Sequence, residues 1–148
     1  MHNRREFCQG LILISIATAI EACGGGSSTA PSSLPSIATI NGSASGNQIQ
    51  LTVDGSSSLA AVGSAARVQT SAGSVLVART AQSTFSALTA ICTHEGCTVD
   101  EFQGGTYECS CHGSQFSTSG AVVRGPAGSP LRSFATSYAA PNLTITIA

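Results

Sequence analysis

The chain has 148 residues, which suffices for one compact domain and is too short for two sizeable ones. Its formal net charge is −1 and only 9% of its residues are charged, which excludes a nucleic-acid binder that relies on a basic face. With 16 Gly, 5 Pro and no Trp, the composition favours short strands and turns, while 42% hydrophobic residues exclude disorder throughout the chain.

The first 22 residues have the layout of an export signal, because Arg4 and Arg5 precede an apolar run over residues 11–20. This run is well short of the roughly 20 residues that span a bilayer as a helix, so a retained transmembrane anchor is the weaker interpretation. Residues 3–7 (NRREF) resemble a twin-arginine signal, the route by which folded proteins cross the membrane. We therefore expect the protein on the periplasmic side of a bacterial cytoplasmic membrane.

A lipid anchor is expected at Cys23, because residues 20–23 (IEAC) resemble a bacterial lipobox. A plain signal peptide with an incidental cysteine is the alternative. The Gly/Ser/Pro-rich run that follows has the composition of a flexible tether, so residues 23–36 are assigned to anchor and linker. The folded domain is expected over residues 37–148.

Short β-prone runs alternate with turn residues from about residue 37 onward, and no window sustains an amphipathic helical pattern. Ile49, Leu51 and Val53 alternate with polar residues, as in a half-buried strand, and residues 142–147 repeat that pattern at the C-terminus. The Gly104-Gly105 pair predicts a tight hairpin. The predicted strands cover residues 37–40, 48–53, 74–79, 85–91, 98–102, 106–109, 121–124, 131–138 and 142–147. The domain is therefore predicted to be all-β.

Four cysteines and two histidines lie in two short boxes, CTHEGC at residues 92–97 and CSCHGS at residues 109–114. Thiol and imidazole groups are the donors that transition metals and zinc prefer. The residue types alone leave three interpretations open: an iron–sulfur cluster, a zinc site, or two disulfides with bystander histidines.

The pattern C-x-H-x-G-C followed by C-x-C-H-G-S resembles the Rieske iron–sulfur proteins, specifically those with the extra cysteine pair of quinol-oxidising cytochrome bc-type complexes. The resemblance covers about residues 85–139, and residues 125–127 match the proline loop that covers the cluster in that family. It implies a Rieske-type antiparallel β-sandwich with a small cluster-binding subdomain, two loops on a hairpin, at about residues 90–130. A zinc site or two disulfides would not account for Gly96, Gly113 and Ser114 at the family's positions.

The resemblance also implies the cofactor, a Rieske-type [2Fe–2S] cluster with one iron on two thiolates and the other on two imidazoles. Carried over residue by residue, the ligands are Cys92 and Cys109 on one iron and His94 and His112 on the other. The remaining cysteines, Cys97 and Cys111, match the family's disulfide between the two loops.

Four further residues match positions around the cluster in that family: Gly113, Ser114, Phe116 and Pro126. The resemblance implies that the Ser114 hydroxyl donates a hydrogen bond to a bridging sulfide, which would stabilise the reduced cluster. High-potential members carry a tyrosine where this chain has Phe116, so its absence is expected to lower the reduction potential.

Four acidic residues gather around the boxes: Glu95, Asp100, Glu101 and Glu108. They would form a negative face for a basic electron acceptor such as a c-type cytochrome. A solvated loop surface is the alternative for each residue taken singly.

The expected function is one-electron transfer by an exported, membrane-tethered domain in a quinol-oxidising respiratory chain, with a cytochrome b- or c-type partner and quinol as the donor. The alternative is the small Rieske subunit of a periplasmic oxidase, with an arsenite-oxidase-like molybdoenzyme large subunit as partner. A structural or zinc-binding lipoprotein without redox activity is a third hypothesis. No sequence pattern resembles a catalytic triad, a nucleotide loop or a carboxylate pair, so the chain alone is expected to carry electrons rather than transform a substrate.

Overall fold

The computed structural model describes residues 34–148, and the predicted export signal and Cys23 lie outside the described residues. None of the described residues belongs to a helix long and apolar enough to cross a membrane. Every regular element among them is a strand, and the strands in chain order are β1 (Ala38–Asn41), β2 (Ser43–Ser45), β3 (Gln48–Thr52), β4 (Ala65–Thr70), β5 (Gly73–Ala81), β6 (Thr84–Thr89), β7 (Glu101–Gln103), β8 (Thr106–Cys109), β9 (Ser114–Ser117), β10 (Val122–Arg124), β11 (Ser133–Ala139) and β12 (Asn142–Thr146).

Eight strands form a large sheet in the order β1-β4-β5-β6-β11-β12-β3-β2. Ile49 on β3 and Leu143 on β12, near one end of this order, share a buried core with Val68 on β4 and Val77 on β5, near the other end. The sheet therefore folds back on itself as a sandwich around one core. One pair, β1 with β4, runs parallel, whereas the other pairs are antiparallel.

The remaining four strands form a small antiparallel sheet in the order β10-β9-β8-β7. Strands β7 and β8 are joined through Gly104 and Gly105, whose φ angles are +59° and +86°. A two-residue turn with positive φ at both positions matches the twist of the flanking strands, and glycine adopts it without a steric cost. The hairpin predicted at this pair is confirmed.

A second hydrophobic core holds the small sheet against the large one. Strand β5 contributes to both cores, because it is buried on both faces. Val75 and Val77 point into the sandwich, and Leu76 and Ala78 point to the other side. Those two residues pack in a cluster with Tyr107, among other residues of the small sheet and the loops beside it. Strand β5 thus fixes the position of the small sheet and of everything built on it.

The all-β prediction is confirmed, and each of the nine predicted strands overlaps a strand of the structure. The prediction missed β2, β4 and β9, and it began β7 early, at residue 98 instead of Glu101. Strand β4 was not predicted because its sequence, AARVQT, has little overall β propensity. Two of its buried residues, Ala66 and Val68, have small side chains. The parallel β1–β4 pair is a departure from the antiparallel sandwich that was expected.

Candidate metal centre

The two boxes form two loops with the same local turn, here called ligand loop 1 (residues 92–97) and ligand loop 2 (residues 109–114). In each loop a glycine N–H donates to the carbonyl oxygen of the cysteine four residues earlier, from Gly96 to Cys92 at 3.0 Å and from Gly113 to Cys109 at 2.9 Å. The two glycines have φ angles of +76° and +75°. A side chain is strained in that conformation, which explains a glycine at this spacing in both boxes.

The four cysteines of the loops divide into a bonded pair and two free thiols. Cys97 and Cys111 form a disulfide that joins the two ligand loops, with their Cα atoms 6.5 Å apart. Cys92 and Cys109 are free and buried. The sulfur of Cys109 lies within 4.8 Å of both disulfide sulfurs, so the disulfide covers this thiol.

Burial affects the chemistry of the Cys109 thiol. Removal from water raises its pKa to about 11, and the neighbouring Cys92 and the charge of Asp100 act in the same direction. A thiol in such surroundings ionises readily only with a positive charge beside it, which is what a metal ion provides.

The two histidines meet with their Nδ1 atoms 3.3 Å apart, one from each ligand loop. Their rings are 4.8 Å apart between centroids and nearly perpendicular, at 83°. The side chains of His94 and His112 are 27% and 45% exposed. Two imidazole nitrogens that face each other at this distance can share a proton or bind a common metal centre.

Glu95 lies on the outer side of this histidine pair. Its Oε1 atom is 4.0 Å from Nε2 of His94, and its Oε2 atom is 3.6 Å from Nε2 of His112. The carboxylate is 62% exposed. The Nδ1 atoms of both rings therefore face each other, while both Nε2 atoms face a single carboxylate at the surface.

A third loop, residues 125–129, is attached to both ligand loops. The buried Ala127 N–H donates to Ser114 Oγ at 3.0 Å, and the Thr93 hydroxyl donates to the carbonyl oxygen of Ser129 at 2.6 Å. Because Ser114 Oγ is the acceptor in that bond, its own hydrogen remains available to donate. The segment identified from Pro126 thus lies beside both boxes, although the proline ring itself is exposed.

The expected acidic face is wrong, because three of its four members are engaged or buried. Asp100 accepts hydrogen bonds from the backbone and hydroxyl of Ser110, at 3.1 Å and 2.7 Å. Glu108 is buried and accepts from Gln115 at 2.7 Å, and Glu101 is buried opposite it on β7. Only Glu95 is exposed.

Sequence reasoning missed Tyr107, which is fully buried opposite Phe116 on the neighbouring strand β9. Its ring packs against Phe102 with 4.7 Å between centroids, and its hydroxyl has no hydrogen-bond partner among the described residues. Burial raises the pKa of this phenol above its usual range. The available signal was its position two residues before Cys109, which places both side chains on one face of β8.

This fold and donor set are those of an iron–sulfur domain, because two free thiols and two facing imidazoles lie on paired loops. Residues 50–135 match the family model of the Rieske [2Fe-2S] domain, and the chain belongs to that family. Its cofactor is accordingly a Rieske-type [2Fe–2S] cluster.

Similarity to curated proteins is confined to a short segment. The chain is 58% identical over 41 residues to the cytochrome b6-f complex iron-sulfur subunit of Prochlorococcus marinus (strain AS9601), which covers 27% of this chain and 23% of that protein. It is 52% identical over 46 residues to the chloroplastic cytochrome b6-f complex iron-sulfur subunit of Bigelowiella natans. This aligned segment covers 30% of this chain and 18% of that protein. The matches thus span less than a quarter of these relatives.

Solved structures match over a larger share. The plasma membrane Rieske protein PetC3 from the cyanobacterium Synechocystis PCC 6803 is 32% identical with a TM-score of 0.54, covering 65% of this chain and 98% of that chain. The ferredoxin of carbazole 1,9a-dioxygenase from Nocardioides aromaticivorans is 19% identical with a TM-score of 0.53, which shows a shared fold.

Proposed function

We propose that this protein is an exported one-electron carrier whose cluster is held by Cys92 and Cys109 on one iron and by His94 and His112 on the other. The observation that carries the proposal is the 3.3 Å approach of the two Nδ1 atoms from separate loops. The donor set supports it, because the disulfide leaves Cys92 and Cys109 as the free thiols of the described residues.

The cluster, when bound, supplies reversible uptake of one electron, at a potential of roughly −150 to +300 mV for this ligand type. The residues of the chain decide where that electron enters and leaves. Both thiols are buried, whereas the imidazoles are partly exposed, so the histidine side is the side that a redox partner approaches. The outer Nε2 atoms can also carry protons at that surface.

For the physiological role we propose a quinol-oxidising respiratory chain, with quinol as donor and a cytochrome as acceptor. Two similarities support this choice: relatives that are subunits of cytochrome b6-f complexes, and a matching solved structure that is a plasma membrane Rieske protein. The exposed side chain of His112 supports it too, because a small donor can reach this ring from solvent.

We also propose the layout of the whole chain: an export signal at residues 1–22, a lipid anchor at Cys23 with a linker to residue 36, and the Rieske domain at residues 37–148. Contacts with the folded domain begin slightly earlier than this boundary: the Phe102 N–H donates to the carbonyl oxygen of Pro35 at 3.0 Å, and Ser36 forms a β-bridge with Glu101. The flexible part of the linker is therefore proposed to end before residue 35. A disulfide is stable in an oxidising compartment such as the periplasm, which supports export.

Ligand substitution combined with a redox titration tests the electron-transfer role. We expect His94→Ala and His112→Ala each to remove the visible absorption and the reduced-state EPR signal of the cluster, while the control Thr98→Ala keeps both. In the unaltered full chain, the midpoint potential is expected to be positive and to fall with pH above neutrality. A fully loaded cluster in either histidine variant would refute the ligand assignment, and a low potential independent of pH would refute quinol as the donor.

Fractionation of cells tests the layout. Replacing Arg4 and Arg5 by lysine is expected to keep the protein in the cytoplasm, and Cys23→Ser to release it from the membrane into the soluble periplasmic fraction. The control Arg67→Lys is expected to leave the distribution unchanged. Membrane retention of the Cys23→Ser variant would refute the lipid anchor.

A further inference from the structure

Glu95 is the one acidic residue of the two ligand loops; it is exposed and lies against both candidate histidine ligands. We infer that Glu95 is a positioning residue whose single carboxylate holds the outer sides of both imidazoles and lowers the midpoint potential of the centre. The inference rests on the proposed ligand assignment, because it treats His94 and His112 as ligands through their facing nitrogens.

The geometry gives each carboxylate oxygen its own ring. Oε1 faces Nε2 of His94 at 4.0 Å, and Oε2 faces Nε2 of His112 at 3.6 Å. Both distances exceed that of a hydrogen bond, so the contact acts through charge. Glu95 belongs to ligand loop 1 and His112 to ligand loop 2, so the carboxylate links the loops on the histidine side, as the disulfide does on the cysteine side.

No cation competes for this carboxylate within the part of the chain that the structure describes: its only ion-pair contacts are the two imidazoles. The nearby acidic residues face elsewhere, since Asp100 is bonded to Ser110 and Glu108 to Gln115. The charge of Glu95 is therefore directed at the histidine pair.

The sign of the effect follows from the charge change on reduction. The oxidised centre carries one positive charge more than the reduced centre, so a nearby negative charge stabilises the oxidised form more and lowers the midpoint potential. The carboxylate is 62% exposed, so water and salt weaken this effect. The shift should consequently be largest at low ionic strength.

The test is a redox titration of the loaded full chain, followed by the EPR signal of the reduced cluster. At low ionic strength we expect Glu95→Gln to raise the midpoint potential, Glu95→Asp to stay near the unaltered value, and the control Asp54→Asn to leave it unchanged. Asp54 is an exposed carboxylate that is hydrogen-bonded to Ser56 and lies outside the ligand loops. The difference between Glu95→Gln and the unaltered chain should shrink as salt is added.

An unchanged potential in Glu95→Gln at low ionic strength, with a full cluster signal, would overturn the inference and leave the ligand assignment intact. The same holds for a shift that is equally large in high salt. Should Glu95→Gln load poorly, Glu95→Ser takes its place with the same expected rise. An unaltered chain that binds no cluster would overturn the ligand assignment and the inference together.

Discussion

Ser114 and Phe116 lie two residues apart on β9, and both side chains are fully buried in the small sheet beside the ligand loops. Ser114 carries a hydroxyl group beside the candidate metal centre, whereas the side chain of Phe116 has no hydrogen-bonding group. At this scale the potential of the centre depends on which single groups donate hydrogen bonds to sulfur.

Ser114→Ala is expected to lower the midpoint potential without loss of the cluster. The hydroxyl accepts from Ala127 and keeps a hydrogen to donate, so its removal takes away a donor that favours the reduced state. Redox titration of the loaded protein measures the shift. The control Ser117→Ala alters a hydroxyl on the same strand that is bonded to Ser119, and it should leave the potential unchanged. Equal potentials for Ser114→Ala and the unaltered chain would contradict the assigned role.

Phe116→Tyr is expected to raise the midpoint potential, because it restores the hydroxyl that high-potential Rieske proteins carry at this position. Redox titration again measures the change. Phe116→Leu is the matched control, since it alters packing without adding a donor and should not raise the potential. A potential that stays the same or falls in Phe116→Tyr would show that the new hydroxyl does not reach a cluster sulfur.

At the scale of elements, the ligand loops depend on a turn and on a cross-link. Gly96 and Gly113 supply the same left-handed turn in loops of different sequence, CTHEG and CSCHG. The Cys97–Cys111 disulfide then fixes the two loops to each other. The glycine turns and the disulfide each contribute separately to the free energy of unfolding.

Gly96→Ala is expected to lower the free energy of unfolding by about 1 kcal/mol, because a β-carbon is disfavoured at positive φ. No atom lies within 4 Å of the position that the β-carbon would occupy, so the cost comes from the backbone alone. Gly128→Ala, also in open space and without positive φ, is the control and should be close to neutral. Chemical denaturation gives both values, and equal stability of the two variants would contradict the turn as described.

Replacing both Cys97 and Cys111 by serine is expected to lower the free energy of unfolding by about 3 kcal/mol, the loop-closure value for a separation near 15 residues. The two cysteines are 14 residues apart in the sequence. Chemical denaturation with and without a reductant measures this loss of stability. The reductant should destabilise the unaltered chain and leave the double variant unaffected. A loss well below 1 kcal/mol would mean that the loops hold together without the bond.

The sequence predicted those elements whose signal is local. The Gly104-Gly105 turn and the alternation in β3 and β12 specify a hairpin and two strands without reference to the rest of the chain. Strand β9 was missed because its sequence SQFS begins inside the second box and shows little β propensity. It forms because β8 and β10 pair with it on either side.

At the scale of the whole molecule, two cores share strands β5 and β6, and this sharing places the small sheet over the sandwich. The run VLVA in β5 indicates burial on both faces, but the partner of each face depends on contacts far apart in the sequence. The two boxes are local patterns, so the sequence alone predicts the candidate ligand residues and also places the two glycines. No local pattern predicts the surroundings of Glu95 or Tyr107. Both depend on how segments far apart in the sequence pack together: the Glu95 carboxylate lies beside two imidazole rings, and the Tyr107 hydroxyl is buried.

The central claim is that two imidazoles and two thiols of this one chain share a [2Fe–2S] cluster. The measurement that tests it most directly is pulsed EPR of the reduced full chain, which counts the nitrogen nuclei bound to the cluster. We expect strong couplings from two nitrogens, assigned to His94 and His112 by labelling histidine with ¹⁵N. A cluster without coordinated nitrogen, or with one alone, would contradict the account.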